Sequence, residues 1–295
     1  MFSAKENLEL ARGKTLPEES EYVRPPAVAG LFYSLSSGEL RSSVNELLAG
    51  ARGDVIDEPP ENISIIISPH AGYLYSGFTA AHAYSLLHKH QFKTVIVISP
   101  SHREYFEGLS VFSGKAYSTP LGEIEIDGEI RRKFMRSAGK FAVESQLGHK
   151  TEHAVEVQLP FLQETLGDFQ LVSVVMGDQK REYCTALGKV LSEFVGDPDI
   201  LLVASSDLSH YYDYETANVM DEICIQDIQR LDAEALADDL ENRRCEACGG
   251  GTIVACLQAA KSEGLSKASI LYHCNSGDTS GDKSAVVGYL SAVIS

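Results

Sequence analysis

The chain has 295 residues, 44% of them hydrophobic and 23% charged, and a formal net charge of −17 at pH 7. That composition supports a sizeable packed core and excludes disorder. Its negative balance excludes nucleic acid and anionic membrane surfaces as partners, because their phosphates are repelled at long range. No apolar run approaches the roughly 18–20 residues that span a bilayer, and residues 1–20 hold no apolar stretch of the kind a secretory signal needs. The six cysteines (Cys184, Cys224, Cys245, Cys248, Cys256 and Cys274) are too few for a disulfide scaffold in a chain this long. A reducing cytoplasm is the expected home.

Residues 1–22, with Pro17 and the cluster Glu18, Glu19 and Glu21, read as a polar arm. Residues 23–295 then read as one α/β domain. A helix is expected over 39–48, with Ser36 or Ser37 as its cap and Leu40, Val44, Leu47 and Leu48 on one face. A turn at 57–60 leads to a first core strand over 63–68, which delivers His70 and a glycine turn. A helix over 77–90 follows, with His88 and His90 expected as solvated cations against its C-terminal dipole. A second core strand over 95–98 runs into Pro100-Ser101-His102.

Shorter strands are expected over 109–112 and 123–126, with a turn at 119–122 between them. Asp127 is expected to begin a helix to about residue 137. Another helix is expected to start in Thr151-Glu152-His153-Ala154-Val155-Glu156-Val157-Gln158-Leu159-Pro160, placing His153 and Glu156 on one face. A strand over 171–176, a helix over 180–194 and a third core strand over 200–205 come next. The last of these delivers Ser205-Ser206-Asp207-Leu208-Ser209-His210. Helices over 214–230 and 233–240, a glycine-rich run into a helix ending near 261, and strands over 269–274 and 285–294 complete the chain. Strands alternating with helices imply a single three-layer α/β/α domain around a mainly parallel or mixed sheet.

Three buried strand ends therefore bring His70, His102 and Asp207/His210 to one sheet edge, where open α/β sheets hold ligands. Two imidazoles suit iron, zinc or copper. The third ligand is left open between Asp207, which would complete a two-histidine–carboxylate set, and Cys248. The latter precedes Gly249-Gly250-Gly251 and a helix start, which is expected to favour its thiolate. His153 and Glu156, and Tyr73 beside His70, are candidates to orient ligands or touch substrate. H-E-x-x-H, G-x-G-x-x-G, P-loop and G-x-S-x-G patterns are all absent.

The runs Arg24-Pro25-Pro26-Ala27-Val28-Ala29-Gly30-x-Phe32-Tyr33, Ser68-Pro69-His70-Ala71-Gly72-Tyr73, Pro100-Ser101-His102, Thr151-Glu152-His153 and Ser205-Ser206-Asp207-Leu208-Ser209-His210 together resemble the Memo family. The resemblance implies the fold of the class III extradiol ring-cleaving dioxygenases, whose iron is held by two histidines and a glutamate. It implies His70 and His102 as the histidine ligands, His210 as acid/base and Asp207 as its polar neighbour. At the third ligand it implies Cys248 in place of glutamate, a swap that favours softer states such as copper(I).

A metal-dependent oxidoreductase using iron(II) or copper, with zinc as another occupant, is the leading expectation. Its substrate would be a small molecule or peptide, and a radical-SAM protein of the same pathway is an implied partner. The alternatives are a non-catalytic peptide- or partner-binding protein that keeps the pocket, and a metal-dependent hydrolase.

Overall fold

The computed structural model describes residues 21–52, 60 and 62–295. The arm expected over 1–22 lies outside them up to residue 20, and the turn expected at 57–60 up to residue 59.

In chain order the first elements are β1 (Val23–Arg24), α1 (Ser37–Arg52), β2 (Ile65–Ser68), α2 (Tyr73–Tyr84), β3 (Thr94–Pro100), β4 (Leu109–Phe112), β5 (Ala116–Thr119) and β6 (Gly122–Glu125). Next come α3 (Gly128–Ala138), β7 (Ala142–Ser145), α4 (Leu159–Leu166), β8 (Gln170–Met176), α5 (Arg181–Leu191), β9 (Ile200–Ser205) and β10 (His210–Tyr212). The last are α6 (Tyr214–Gln229), α7 (Ala233–Glu241), α8 (Gly250–Ser262), β11 (Ala268–Asn275), α9 (Ser276–Ser280) and β12 (Val286–Ile294).

Among the described residues one mixed sheet runs β10–β12–β2–β9–β3–β8–β4–β7, with β11 also paired to β12. Its centre is parallel: β2 with β9, β9 with β3, and β3 with β8. The runs Ile65–Ser68 and Thr94–Pro100 are buried at every position, as strands covered on both faces must be. Successive side chains alternate between two cores. Ile65, Ile67, Ile96, Ile98, Leu202 and Ala204 meet Leu187 and Leu191 of α5, Ile225 and Ile228 of α6, Leu236 of α7, and Ile253 and Leu257 of α8. Ile66, Val95, Val97, Leu201 and Val203 meet Leu40, Val44 and Leu48 of α1, Ala80 and Tyr84 of α2, and Phe161 of α4. Helices on both faces of a mixed sheet make the three layers expected from the sequence.

Strand β9 lies between β2 and β3, so the crossover through α2 passes over it. The carboxyl ends of these three strands therefore lie side by side, at the edge where open sheets of this kind form a ligand crevice. The Cys248 loop closes on that edge because Gly249 has no side chain: a Cβ there would stand 2.3 Å from the Ser205 carbonyl oxygen and 2.9 Å from Ser206 Cβ.

Local structure differs from expectation in several places. Helix α2 begins at Tyr73, one turn earlier than the 77–90 reading, and ends at Tyr84 in a 3₁₀ turn, Ser85–Lys89. His90 is no solvated helix-end cation: it stacks on Phe92 with ring centroids 5.4 Å apart, and burial lowers its pKa. Strands β1, β5, β7 and β10 and the short helix α9 lie outside the expected elements; β5 pairs with β1 and β6 in a small three-stranded sheet. Finally, no helix runs from residue 151. A 3₁₀ turn, Glu156–Gln158, precedes α4, whose first turn carries Pro160, where a missing N–H costs nothing. Asp127 caps α3 as expected, accepting from the Glu129 and Ile130 amides.

Candidate metal centre

His70 follows the end of β2 and is 1% exposed. Its Nε2 stands 3.1 Å from Cys248 Sγ, and its Nδ1 is 2.8 Å from Ser205 Oγ at the end of β9. His102, after β3, packs edge-on to His70 with ring centroids 5.1 Å apart. One ligand atom from each of His70, His102 and Cys248 can be chosen so that all lie within 4.8 Å of one another. A transition metal with bonds of about 2.0–2.3 Å to nitrogen and sulfur fits such a set. Of the candidate third donors, Cys248 rather than Asp207 is the one brought into this grouping with His70 and His102.

His102, Glu152 and His153 form a second group of the same compactness, but its carboxylate is already spent. Glu152 Oε1 accepts from His102 Nδ1 at 2.9 Å, the His153 amide at 2.8 Å and the Ala154 amide at 3.0 Å. Oε2 accepts the His102 amide at 2.6 Å. Burial pushes the Glu152 carboxyl up, yet the hydrogen bond and charge of His102 outweigh it and hold the pKa at about 2. An ionised acceptor on Nδ1 makes that nitrogen the donor and leaves Nε2 of His102 to ligate, the carboxylate–histidine–metal pattern. Glu152 was missed as an orienting group. Only its place beside His153 in the Thr151-Glu152-His153 run pointed to it.

Burial, then the charges of His102 and His153, hold the His70 pKa well below the ordinary imidazole value. Burial lowers His153 to about 4. Cys248 reverses the expectation of a stabilised thiolate: burial, then the Asp207 carboxylate, raise its pKa well above the usual thiol range despite hydrogen bonds from backbone amides. Metal uptake at this site must therefore release the thiol proton.

The remaining sequence candidates divide sharply. Asp207 lies at the crevice, but its Oδ1 accepts the His70 amide at 2.7 Å, so its carboxylate ties β9 to β2 rather than orienting His210. Burial raises its pKa to about 6. The Asp207 amide also points at Cys248 Sγ, 3.3 Å away. His210 is set instead by Leu208, whose carbonyl oxygen is 2.8 Å from Nδ1. His153 belongs to the site: its ring stacks on His102 at 4.8 Å and meets His70 at 5.5 Å and Phe32 at 4.9 Å.

Glu156 and Tyr73 are not brought to the donor atoms. Glu156 is fully buried and accepts from Arg24, the Ala27 and Val28 amides and the Tyr33 hydroxyl. The pairing of His153 with Glu156 on one helix face does not occur, because the segment turns before α4 begins. Tyr73 gives its hydroxyl to the Val157 carbonyl at 2.7 Å and packs on Phe161.

The fold is shared with a crystal structure of the uncharacterized protein JW3007 from Escherichia coli K12. The two match with a TM-score of 0.54 over 79% of this chain and 100% of that one, at 14% identity. At that identity the likeness is one of fold. Full-length sequence relatives are closer. A protein of Aquifex aeolicus is 38% identical over 274 residues, covering 92% of this chain and 98% of that one. One of Methanosarcina mazei is 37% identical over 275 residues, covering 92% and 99%. Both are described as MEMO1 family proteins. The family model described as "Memo-like protein" matches residues 24–293, the span that contains every motif and every donor atom above. The chain belongs to the Memo family.

Proposed function

We propose that this protein is a metal-dependent oxidoreductase that binds iron(II) or copper through His70, His102 and Cys248 and acts on a small molecule. The observation that carries the reading is the convergence of two imidazoles and one thiol from three separate chain segments onto one compact set of donor atoms. The thiol tilts the set toward copper(I), and zinc can occupy the same donors. When bound, the metal supplies redox chemistry and Lewis acidity at the sheet edge.

The chain's own groups have separable tasks. Glu152 holds His102 by Nδ1, and Asp207 holds the backbone of His70. With Nδ1 of His210 directed at the Leu208 carbonyl, Nε2 is the ring nitrogen that would take a proton from substrate and return it. A reducing cytoplasm keeps Cys248 available as a ligand, in keeping with six free cysteines.

Anaerobic purification and metal analysis test the reading, followed by titration with iron(II), copper(I) and zinc(II) and by oxygen uptake of the loaded protein. His70→Ala, His102→Ala and Cys248→Ser are expected to lower stoichiometry or affinity with the fold intact. His210→Gln is expected to keep the metal and lose roughly 10²–10⁴-fold in turnover. Full metal loading at unchanged affinity in all three ligand variants would overturn the site.

A second reading has its own observation. Leu74, Tyr105 and Tyr211, each a few residues beyond a site histidine in the chain, are 76%, 65% and 77% exposed. Leu31, next to the Phe32 ring that packs on His153, is 81% exposed. Large apolar side chains in such numbers favour a peptide or protein partner, with a radical-SAM protein as the candidate, and a pocket without turnover. Metal uptake without any oxygen consumption, together with partner binding that Leu74→Ser weakens, would favour it.

A further inference from the structure

Behind His70 lies a chain of buried hydrogen bonds that admits one arrangement of protons. Gln158, fully buried, is 2.9 Å from the Pro69 carbonyl and 2.8 Å from Ser205 Oγ through Nε2, and its Oε1 is 2.8 Å from the Tyr84 hydroxyl. A flipped amide would set Oε1 against the Pro69 carbonyl, two acceptors in contact, so Nε2 faces Ser205. Ser205 Oγ is also 2.7 Å from the Ala154 carbonyl, which can only accept, and so the single hydroxyl proton goes there. The oxygen now has one proton given and one lone pair filled by Gln158. The remaining close neighbour, His70 Nδ1 at 2.8 Å, must donate to it.

From this accounting we infer that Gln158 and Ser205 are positioning residues that lock His70 as its Nδ1–H tautomer and so present a bare Nε2 to Cys248 and the metal. That lone pair can accept a hydrogen bond from the Cys248 thiol across the 3.1 Å contact, with the Asp207 carbonyl at 3.6 Å as the thiol's other acceptor. A metal held by His70, His102 and Cys248 would meet an imidazole that already presents its ligating nitrogen. His102 reaches the same state by a different route, through an ionised carboxylate on its Nδ1. The consequence for affinity rests on the metal-site reading above. The tautomer itself does not.

The test separates the two. Uniformly ¹⁵N-histidine-labelled, metal-free protein at pH 7.5 is examined by long-range ¹H–¹⁵N correlation, with His70 identified by its disappearance in His70→Asn. The expected signature is protonated Nδ1 and bare Nε2 for His70. In Ser205→Ala, Nε2–H is expected to appear, and zinc(II) affinity, read by competition with a chromophoric chelator, to fall about 10–100-fold. The wild-type spectrum does not depend on Ser205→Ala, so a Ser205→Ala chain that fails to fold leaves the inference open to refutation. Protonated Nε2 in the wild type, or an unchanged tautomer in folded Ser205→Ala, would overturn it. Protonated Nδ1 in a wild-type protein that takes up no zinc(II), iron(II) or copper(I) supports the lock and overturns the metal reading instead.

Discussion

Glu152 and Glu156 lie four residues apart, both buried, and they serve different tasks. Glu152 faces the crevice and orients a histidine that bears a free ligating nitrogen. Glu156 faces away, into a brace in which Arg24 bonds its carboxylate and also reaches the carbonyls of Glu152 and His149. One guanidinium thus holds the backbone of the site glutamate and the side chain of the structural one. The same short segment shows that burial of a charge does not reveal its task. What reveals it is whether every lone pair is used for the fold or one partner still has an atom to spare.

The brace is where the largest loss of stability is expected. Arg24 and Glu156 are an ion pair with both side chains fully buried. Removing one partner strands the other, which typically costs about 3–5 kcal/mol. Arg24→Ala and Glu156→Ala should each lower the urea midpoint accordingly. A loss below about 1 kcal/mol in both would show that water enters the brace and would break the contrast between the two glutamates.

The brace also sets acid sensitivity. His149 is fully buried, with burial lowering its pKa to about 3. Its ring is bonded to the Tyr117 hydroxyl and the Ser110 carbonyl. Between that value and about 6.5, where the unfolded ring titrates, the unfolded chain binds the extra proton. Stability from His149 is therefore fully present above about pH 6.5 and is lost as pH falls toward 3. His70 and His153 contribute with the same sign, and with His149 they outnumber Asp207 and Asp227, which burial raises to about 6 and which contribute with the opposite one. Urea midpoints measured from pH 4 to 7 should rise with pH in the wild type and rise less steeply in His149→Gln. Equal slopes would assign the whole dependence to the site.

Glu152→Gln sharpens the comparison from the other side. It keeps the shape but removes the charge that fixes His102, so metal affinity is expected to fall about 10–100-fold, equivalent to about 1.4–2.7 kcal/mol. Its stability cost should be smaller than that of Glu156→Ala. Isothermal titration with zinc(II) and a denaturation curve on the same sample check both. The reverse ranking would mean that the two glutamates have been assigned the wrong way round.

How much of this was legible in the sequence follows from which signals are local. The strands around Ile65, Val95 and Leu201 announce themselves as apolar runs, and their order in the chain was enough to gather His70, His102 and Asp207 at one edge. Strand β7 carries no such run: Val143 is its one buried residue, in a pattern otherwise half exposed. The Arg24-to-Tyr33 run was legible as a family signature but not as a brace, because its partner Glu156 is more than a hundred residues away. A local signal was also misweighed. Pro160 marks a helix's first turn, and so argued against a helix already running at His153. For Cys248 the glycines and helix start suggested a stabilised thiolate, whereas burial and the Asp207 carboxylate, both products of tertiary structure, reverse the sign.

Tyr73 offers the smallest effect and the cleanest division between brace and crevice. It follows His70 closely in the chain, so proximity assigns it to the site. Its hydroxyl, however, donates to the Val157 carbonyl, and its ring lies 5.5 Å from Tyr33 and 4.9 Å from Phe161, on the side of Glu156. Tyr73→Phe deletes one buried hydrogen bond and keeps the packing, which should cost about 1–2 kcal/mol because a carbonyl is left unpaired. Metal affinity should stay within about twofold of the wild type, since no atom of the His70–Ser205–Gln158 relay or of the Glu152 contacts is touched. Denaturation and zinc(II) titration of the one variant give both numbers. A tenfold loss of affinity with unchanged stability would return Tyr73 to the crevice and erase the boundary drawn between the two glutamates.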